Sequence, residues 1–322
     1  MPRTINLLIT LSLLLMGLIW LLGPYNSGIE LTPDKGPFWY YWQLPDPTWL
    51  TRFSAWGGFA SHQLFFWWLI ASSKKKKAAG ELSYQKGLQK HNYIALFGNL
   101  FFVLLHIVQT KVFYDGLAQD THIFSGQFAV IILLALVLIL ENKRRGLLFG
   151  KQVGFLNNIR YLVKDYHGYY FSWAIVFTFW FHPIEITYGH LLGTFYAILI
   201  IVQGSLIFTR YHQNKYWTLL LETFVLLHGA VVAYMSIYHD TWPMFAFGFA
   251  TLFFITQIYG LGLSKRVTYY CSAVYIVVLV IFYQNDYWQM VEVLRIPFIL
   301  IIVAVVLAAL LYLIHTFIIK RR

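Results

Sequence analysis

Ser125–Arg145 reads SGQFAVIILLALVLILENKRR: no charged residue falls between Gly126 and Leu140, and the run closes on Lys143, Arg144 and Arg145. An apolar stretch of about 20 residues is long enough to cross the hydrocarbon core of a bilayer as a helix. A basic cluster at one end marks the cytoplasmic side. Ser125–Arg145 therefore reads as a spanning helix with its C-terminal end inside. The same texture recurs along the chain and predicts ten spans: Ile5–Leu22, Phe53–Ser72, His91–Thr110, Ile123–Leu140, Tyr161–Phe181, Leu191–Phe208, Trp217–Tyr238, Trp242–Leu261, Val267–Phe282 and Ile296–Ile318.

The whole composition agrees. The chain is 59% hydrophobic and 11% charged, where a soluble domain carries about 25% charged residues. Too few charges remain to clothe a water-facing surface, so the expected fold class is an all-α polytopic membrane protein in a bacterial inner (plasma) membrane. Ile5–Leu22 resembles a signal peptide, but it is long, and Gly23-Pro24-Tyr25 is a poor small-residue cleavage site, so it reads as the first span. Cys271 is the sole cysteine, which excludes an internal disulfide and any multi-cysteine metal site.

A net charge of +11 invites a nucleic-acid reading, which the placement of the charges argues against. With both termini inside, every basic residue except Lys35, Arg52, Lys111 and Arg295 falls on the cytoplasmic side, Lys320, Arg321 and Arg322 included. The positive charge thus reports topology and anionic lipid headgroups, and the expected partner is the bilayer. The chain divides into N-terminal helices with an aromatic outer loop (1–72), a histidine-bearing core bundle (89–240) and C-terminal scaffold or docking helices (242–322). The loop contains GPFWYYWQLPDPTWL (Gly36–Leu50) and is expected to lie at the membrane interface. The inner loops are too short for a nucleotide or flavin domain, and neither a Walker sequence nor GxGxxG occurs. Leu192–His212, LGTFYAILIIVQGSLIFTRYH, faintly echoes Ser125–Arg145 as a possible internal duplication.

Two segments carry chemistry. HNYIALFGNLFFVLLH (His91–His106) and HGYYFSWAIVFTFWFH (His167–His182) each begin and end with histidine. Fifteen residues of helix separate the ends by roughly 22 Å, and the angular offset of about 60° leaves both on one broad side. The topology puts His91 and His167 at the inner level and His106 and His182 at the outer level. Ionisable groups within a membrane usually face a cavity, a partner or a cofactor. Paired imidazoles from facing helices are a common axial ligation of low-spin haem. Gly98, between the two histidines of its helix, would let a porphyrin edge approach the backbone.

The stretch from His91 to His182 resembles the transmembrane haem domain of ferric reductases and NADPH oxidases: a helix with two histidines, a spacer helix ending in basic residues, then a second two-histidine helix. The resemblance covers about 90 residues. It implies a cytochrome-b fold, two b-type haems held by His91 with His167 and by His106 with His182, and transmembrane electron transfer. The histidine spacing is slightly wider than the family's. The family's flavin and nicotinamide domains have no counterpart in the sequence, so electrons are expected from a separate reductase or a membrane quinol, and pass to a separate acceptor.

Two rival readings stand beside this one. FHPIEITYGHLLG packs His182, Glu185 and His190 together, and His239, His62 and the mid-span His228 add further candidates for an outer-side or membrane-buried site. Such residues could bind a divalent metal or carry protons, giving a membrane-embedded enzyme or a metal- or proton-coupled transporter. Alternatively, the histidines merely hydrogen-bond between helices in a haem-free structural subunit of a larger membrane complex.

Overall fold

The computed structural model describes residues 2–33, 35, 41–236 and 239–319, the side chains of 239, 318 and 319 excepted. Gly36–Tyr40 of the aromatic loop and Lys320–Arg322 therefore lie outside the described residues. Ten α-helices and no strand are found among the described residues: α1 Arg3–Leu22, α2 Trp49–Ala78, α3 Lys90–Val112, α4 Ile123–Arg145, α5 Gly154–Trp180, α6 Tyr188–Ser205, α7 Lys215–Met235, α8 Trp242–Ile255, α9 Lys265–Phe282 and α10 Arg295–Ile314.

Their ends follow local chemistry. Thr48, Thr187 and Ser264 each cap a helix by accepting from the backbone N–H three residues on. Gln89 and Asn92 form a reciprocal capping box at the start of α3.

Seven helical segments are long and apolar enough to cross a membrane: Arg3–Asn26, Lys90–Val112, Ile123–Arg145, Tyr188–Ser205, Lys215–Met235, Lys265–Phe282 and Gln289–Phe317. Helices α2, α5 and α8, which correspond to three of the ten expected spans, are not among them. Helix α2 runs on through Lys74–Lys77, and α5 begins in a polar stretch that includes Asn157, Asn158, Arg160, Lys164 and Asp165. At 14 residues, α8 reaches only about 21 Å along its axis, short of a hydrocarbon core of about 30 Å.

The helices form two compact units. Unit 1 holds residues 1–130 and 168–221; unit 2 holds 131–167 and 222–322. In unit 1, α1 packs on α6, and α3 packs on both α2 and α6. Ile5 meets Leu199, Val202 and Leu206 there, with Trp217 and Leu221 closing the cluster. Gly58 is required by a close approach: a Cβ at this position would stand 2.2 Å from Trp180 Cη2, and Trp180 is itself fully buried. In unit 2, α10 packs on α8, burying Pro297, Leu300, Ala304 and Ala308 along one stripe. Helix α9 shows most of its apolar side chains outward, as a lipid-facing helix would.

Candidate functional site

Helix α3 carries the polar interior of unit 1. Asn92, Asn99 and His106 recur every seven residues, which stacks them on one helix face, and all three are buried. Each reaches a different element. Asn92 Nδ2 donates to the carbonyls of Ser205 and Ile207, both at 2.9 Å. Asn99 Nδ2 donates to Ser205 Oγ at 2.9 Å, and its Oδ1 accepts from His62 Nε2 at 2.9 Å. His62 Nδ1 in turn accepts from Trp180 Nε1 at 3.2 Å. Its ring stacks on Phe102, with centroids 4.4 Å apart. The chain Trp180–His62–Asn99–Ser205 ends on the Ile201 carbonyl. Every link is neutral and both nitrogens of His62 are used, which is how a polar group is kept at low cost away from water.

His106, two turns further along α3, has a different environment. Gln109 Nε2 donates to Ser54 Oγ at 3.1 Å and to the Asp115 carbonyl at 3.0 Å. Those bonds turn Gln109 Oε1 towards His106 Nδ1, 3.0 Å away. His106 Nε2 faces the His182 carbonyl at 3.2 Å. The imidazole therefore stands between two acceptors, and it can bond both only when each nitrogen carries a proton. Its ring lies against Trp180 and Phe179, at 4.2 and 5.0 Å between centroids.

Beyond the helix ends, the connections after α3 and α5 and the turn after α1 build a charged cluster. Tyr114 donates its O–H to Glu185 Oε1 at 2.5 Å. Asn26 Nδ2 donates to the same oxygen at 3.0 Å, and Lys111 Nζ donates to Asn26 Oδ1 at 2.7 Å. Carboxylate and ammonium are thus joined through an amide. Tyr114 takes a left-handed backbone conformation, φ +47°, strain of the kind that persists where surrounding contacts over-determine it. Burial, and then the bond to Glu185, push the Tyr114 phenol well above its usual range, so it remains a donor. Burial raises the neighbouring Asp115 carboxyl.

His182 and His190 flank this cluster as an edge-on ring pair 4.6 Å apart, and Trp42 of the aromatic loop sits edge-on to His190 at 4.8 Å. Thr187 holds His190 Nδ1 at 2.7 Å. Burial holds the His182 imidazole below its ordinary value, with Glu185 opposing the shift. Nearby, Gln43 and Leu44 tie the aromatic loop to Ala118 and Gln119.

A bis-histidine haem needs imidazole nitrogens aimed at a shared gap wide enough for a porphyrin. His106 and His182 do come together, but His106 Nε2 is in contact with the His182 backbone, and His182 Nδ1 lies 3.0 Å from the Pro183 carbonyl. Helix α5 ends at Trp180, so His182 lies past the helix and not at the level that a continuous helix would give it. His91 Nε2 is bound to the Ile207 carbonyl at 3.0 Å in unit 1, and His167 Nδ1 to the Lys164 carbonyl at 2.7 Å in unit 2. The open side of Gly98 is filled by the Phe65 ring, 2.2 Å from where a Cβ would stand. It forms a seat for a phenylalanine, not a cradle for a porphyrin. His106 and His182 thus meet within unit 1, whereas His91 and His167 belong to different units.

Among the described residues no three His, Cys, Asp or Glu side chains converge as metal ligands, because Glu185 turns to Tyr114 and Asn26 while the two histidines face each other. His228 lies half-buried on α7 in unit 2, and the side chain of His239 falls outside the described residues. Sequence reasoning missed Asn92, Asn99, Gln109, Tyr114 and Trp180. The seven-residue polar recurrence on α3 was the available signal for the first two.

The fold and these geometries define an all-helical protein with seven helices long and apolar enough to cross a membrane. No family model, curated protein or solved structure matches the chain.

Proposed function

We propose that this protein is a proton-coupled membrane transporter, with His106 as the group that takes up and releases the proton. One observation carries the reading: His106 is fully buried and its two ring nitrogens face two acceptors, Gln109 Oε1 and the His182 carbonyl. A proton added to this ring completes a hydrogen bond that the neutral ring leaves unmade. Buried His and carboxyl groups are the usual proton carriers of transporters. The Glu185–Tyr114–Asn26–Lys111 cluster, on the outer side by the charge rule, supplies a nearby carboxylate without a direct ion pair to lock it.

The test needs no knowledge of the cargo. Purified protein in liposomes on a solid-supported membrane should give a transient current on an outward pH jump, as a proton enters and leaves its site. His106→Gln should abolish the transient, and Glu185→Gln should shift the pH at which it appears. A transient that His106→Gln leaves intact, or none in the unaltered protein, overturns the reading.

Electron transfer through b-type haem is the second proposal, favoured by the meeting of His106 with His182. It requires His106 Nε2 to exchange the His182 carbonyl for iron. A reduced-minus-oxidised spectrum of protein purified from haem-replete cells decides it. A low-spin b-type band lost in His106→Ala supports this reading, and no such band sinks it.

A further inference from the structure

Unit 2 contains a cavity of about 260 Å³ between α7, α8 and the turn after α8. Its walls are Leu226, Phe249, Ala250, Phe253 and Phe254, with Glu222, Thr223 and Gln257 as the polar lining. Glu222 pairs through Oε2 with NH1 of Arg145, whose side chain is 2% exposed. Arg145 Nε is buried without a hydrogen-bond partner among the described residues. Gln257 is 7% exposed and forms part of the polar lining.

The lining selects the ligand's chemistry by elimination. Arg145 already balances the Glu222 carboxylate, so a cation would meet the guanidinium's repulsion and an anion would meet the carboxylate's. The occupant is neutral. Three phenylalanine rings favour a flat apolar body. Glu222 is an acceptor and wants an O–H or N–H, whereas Gln257 offers both a donor and an acceptor. The cavity lies among apolar helices, so the occupant dissolves in lipid.

We propose that this cavity is a binding site for a lipid-soluble hydroquinone, its ring between the phenylalanines, one hydroxyl donating to Glu222 and the opposite oxygen bonded by Gln257. The proposal concerns binding alone and does not depend on His106.

The probe is decylubiquinol, kept reduced under argon, titrated into the purified full-length protein in detergent. Decylubiquinone and n-decanol serve as competitors. The expected result is saturable binding at one site per chain, with the quinol about tenfold tighter than the quinone, the worth of one hydrogen bond to a charged group. Decanol should not displace it. Gln257→Leu should weaken quinol binding about tenfold, and Ala250→Phe, which fills the cavity, should abolish it. Both variants are to be compared at unchanged helicity and elution volume; if Ala250→Phe does not fold, Gln257→Leu alone carries the decision. Displacement by decanol identifies a mere acyl-chain groove and overturns the proposal. So does quinol binding that Gln257→Leu leaves unchanged.

Discussion

One polar network in each unit shows opposite ways of keeping polar groups away from water. Unit 1 threads its interior with neutral links, Trp180 to His62 to Asn99 to Ser205, each donor meeting an acceptor. Unit 2 buries a full ion pair, Arg145 with Glu222, and leaves Arg145 Nε unmatched beside it. A saturated neutral chain resists change at any one link and offers nothing to a ligand. A buried ion pair with an unmatched nitrogen beside it and a cavity against its carboxylate holds its energy in a form that a ligand or a proton can alter.

The difference is broken most forcefully at Arg145. Arg145→Leu leaves Glu222 buried without its counter-charge, and should destabilise the protein by roughly 3–5 kcal/mol, read as the loss of thermal unfolding temperature in detergent. Arg145→Leu with Glu222→Leu removes both charges and should recover most of that loss, since a buried pair replaced by apolar groups is often near neutral. A double variant as unstable as the single one would show that the pair's partners, not its charge, matter.

In unit 1 the largest effects should be steric and should grade with the freedom of the neighbour. Gly58→Ala drives a methyl to 2.2 Å from the fully buried Trp180, and Gly98→Ala drives one equally close to Phe65, which is only half-buried. Overpacking costs about 1–3 kcal/mol, and Gly58→Ala should lie at the top of that range with Gly98→Ala below it. Trp180→Phe, which strips His62 Nδ1 of its donor, should cost about 1–3 kcal/mol with little change in shape. Equal unfolding temperatures for Gly58→Ala and Gly98→Ala would contradict the packing account.

How much of this the sequence disclosed follows from the range of the interactions. Composition and run length sufficed for an all-helical chain with membrane-length helices, because those are local properties. Ten spans were expected and seven helices are long and apolar enough to cross: α2 and α5 dilute their apolar residues with Trp, Tyr, Gly, His and other polar side chains, and α8 is only 14 residues long. His106 and His182 meet through a backbone carbonyl, because the chain turns off the helix before His182, a local turn that helical spacing does not disclose. The unit 2 cavity was illegible. Arg145 and Glu222 lie 77 positions apart, and Gln257 follows the end of α8, so no periodicity joins them.

The smallest predicted effect probes the charged end of unit 1, where neutral saturation gives way. Burial, the largest cause, raises the Asp115 carboxyl; Asp120 adds to the shift, while Thr51, the Gly116 N–H and Arg52 oppose it. The folded chain therefore binds this proton more tightly than the unfolded chain, and the group's stabilising contribution is complete below the ordinary carboxylate value. It is lost as pH climbs through the raised value. Asp115→Asn keeps an oxygen for the Gly116 N–H, which Asp115 Oδ1 accepts at 2.7 Å, but removes the titration. The variant's unfolding temperature should accordingly gain on that of the unaltered protein between pH 4 and pH 7 (about the carboxylate value to neutrality). A difference that stays flat across that interval would mean that Asp115 is as well solvated folded as unfolded, and that the end of unit 1 is as neutral in its energetics as the Trp180–His62–Asn99 chain.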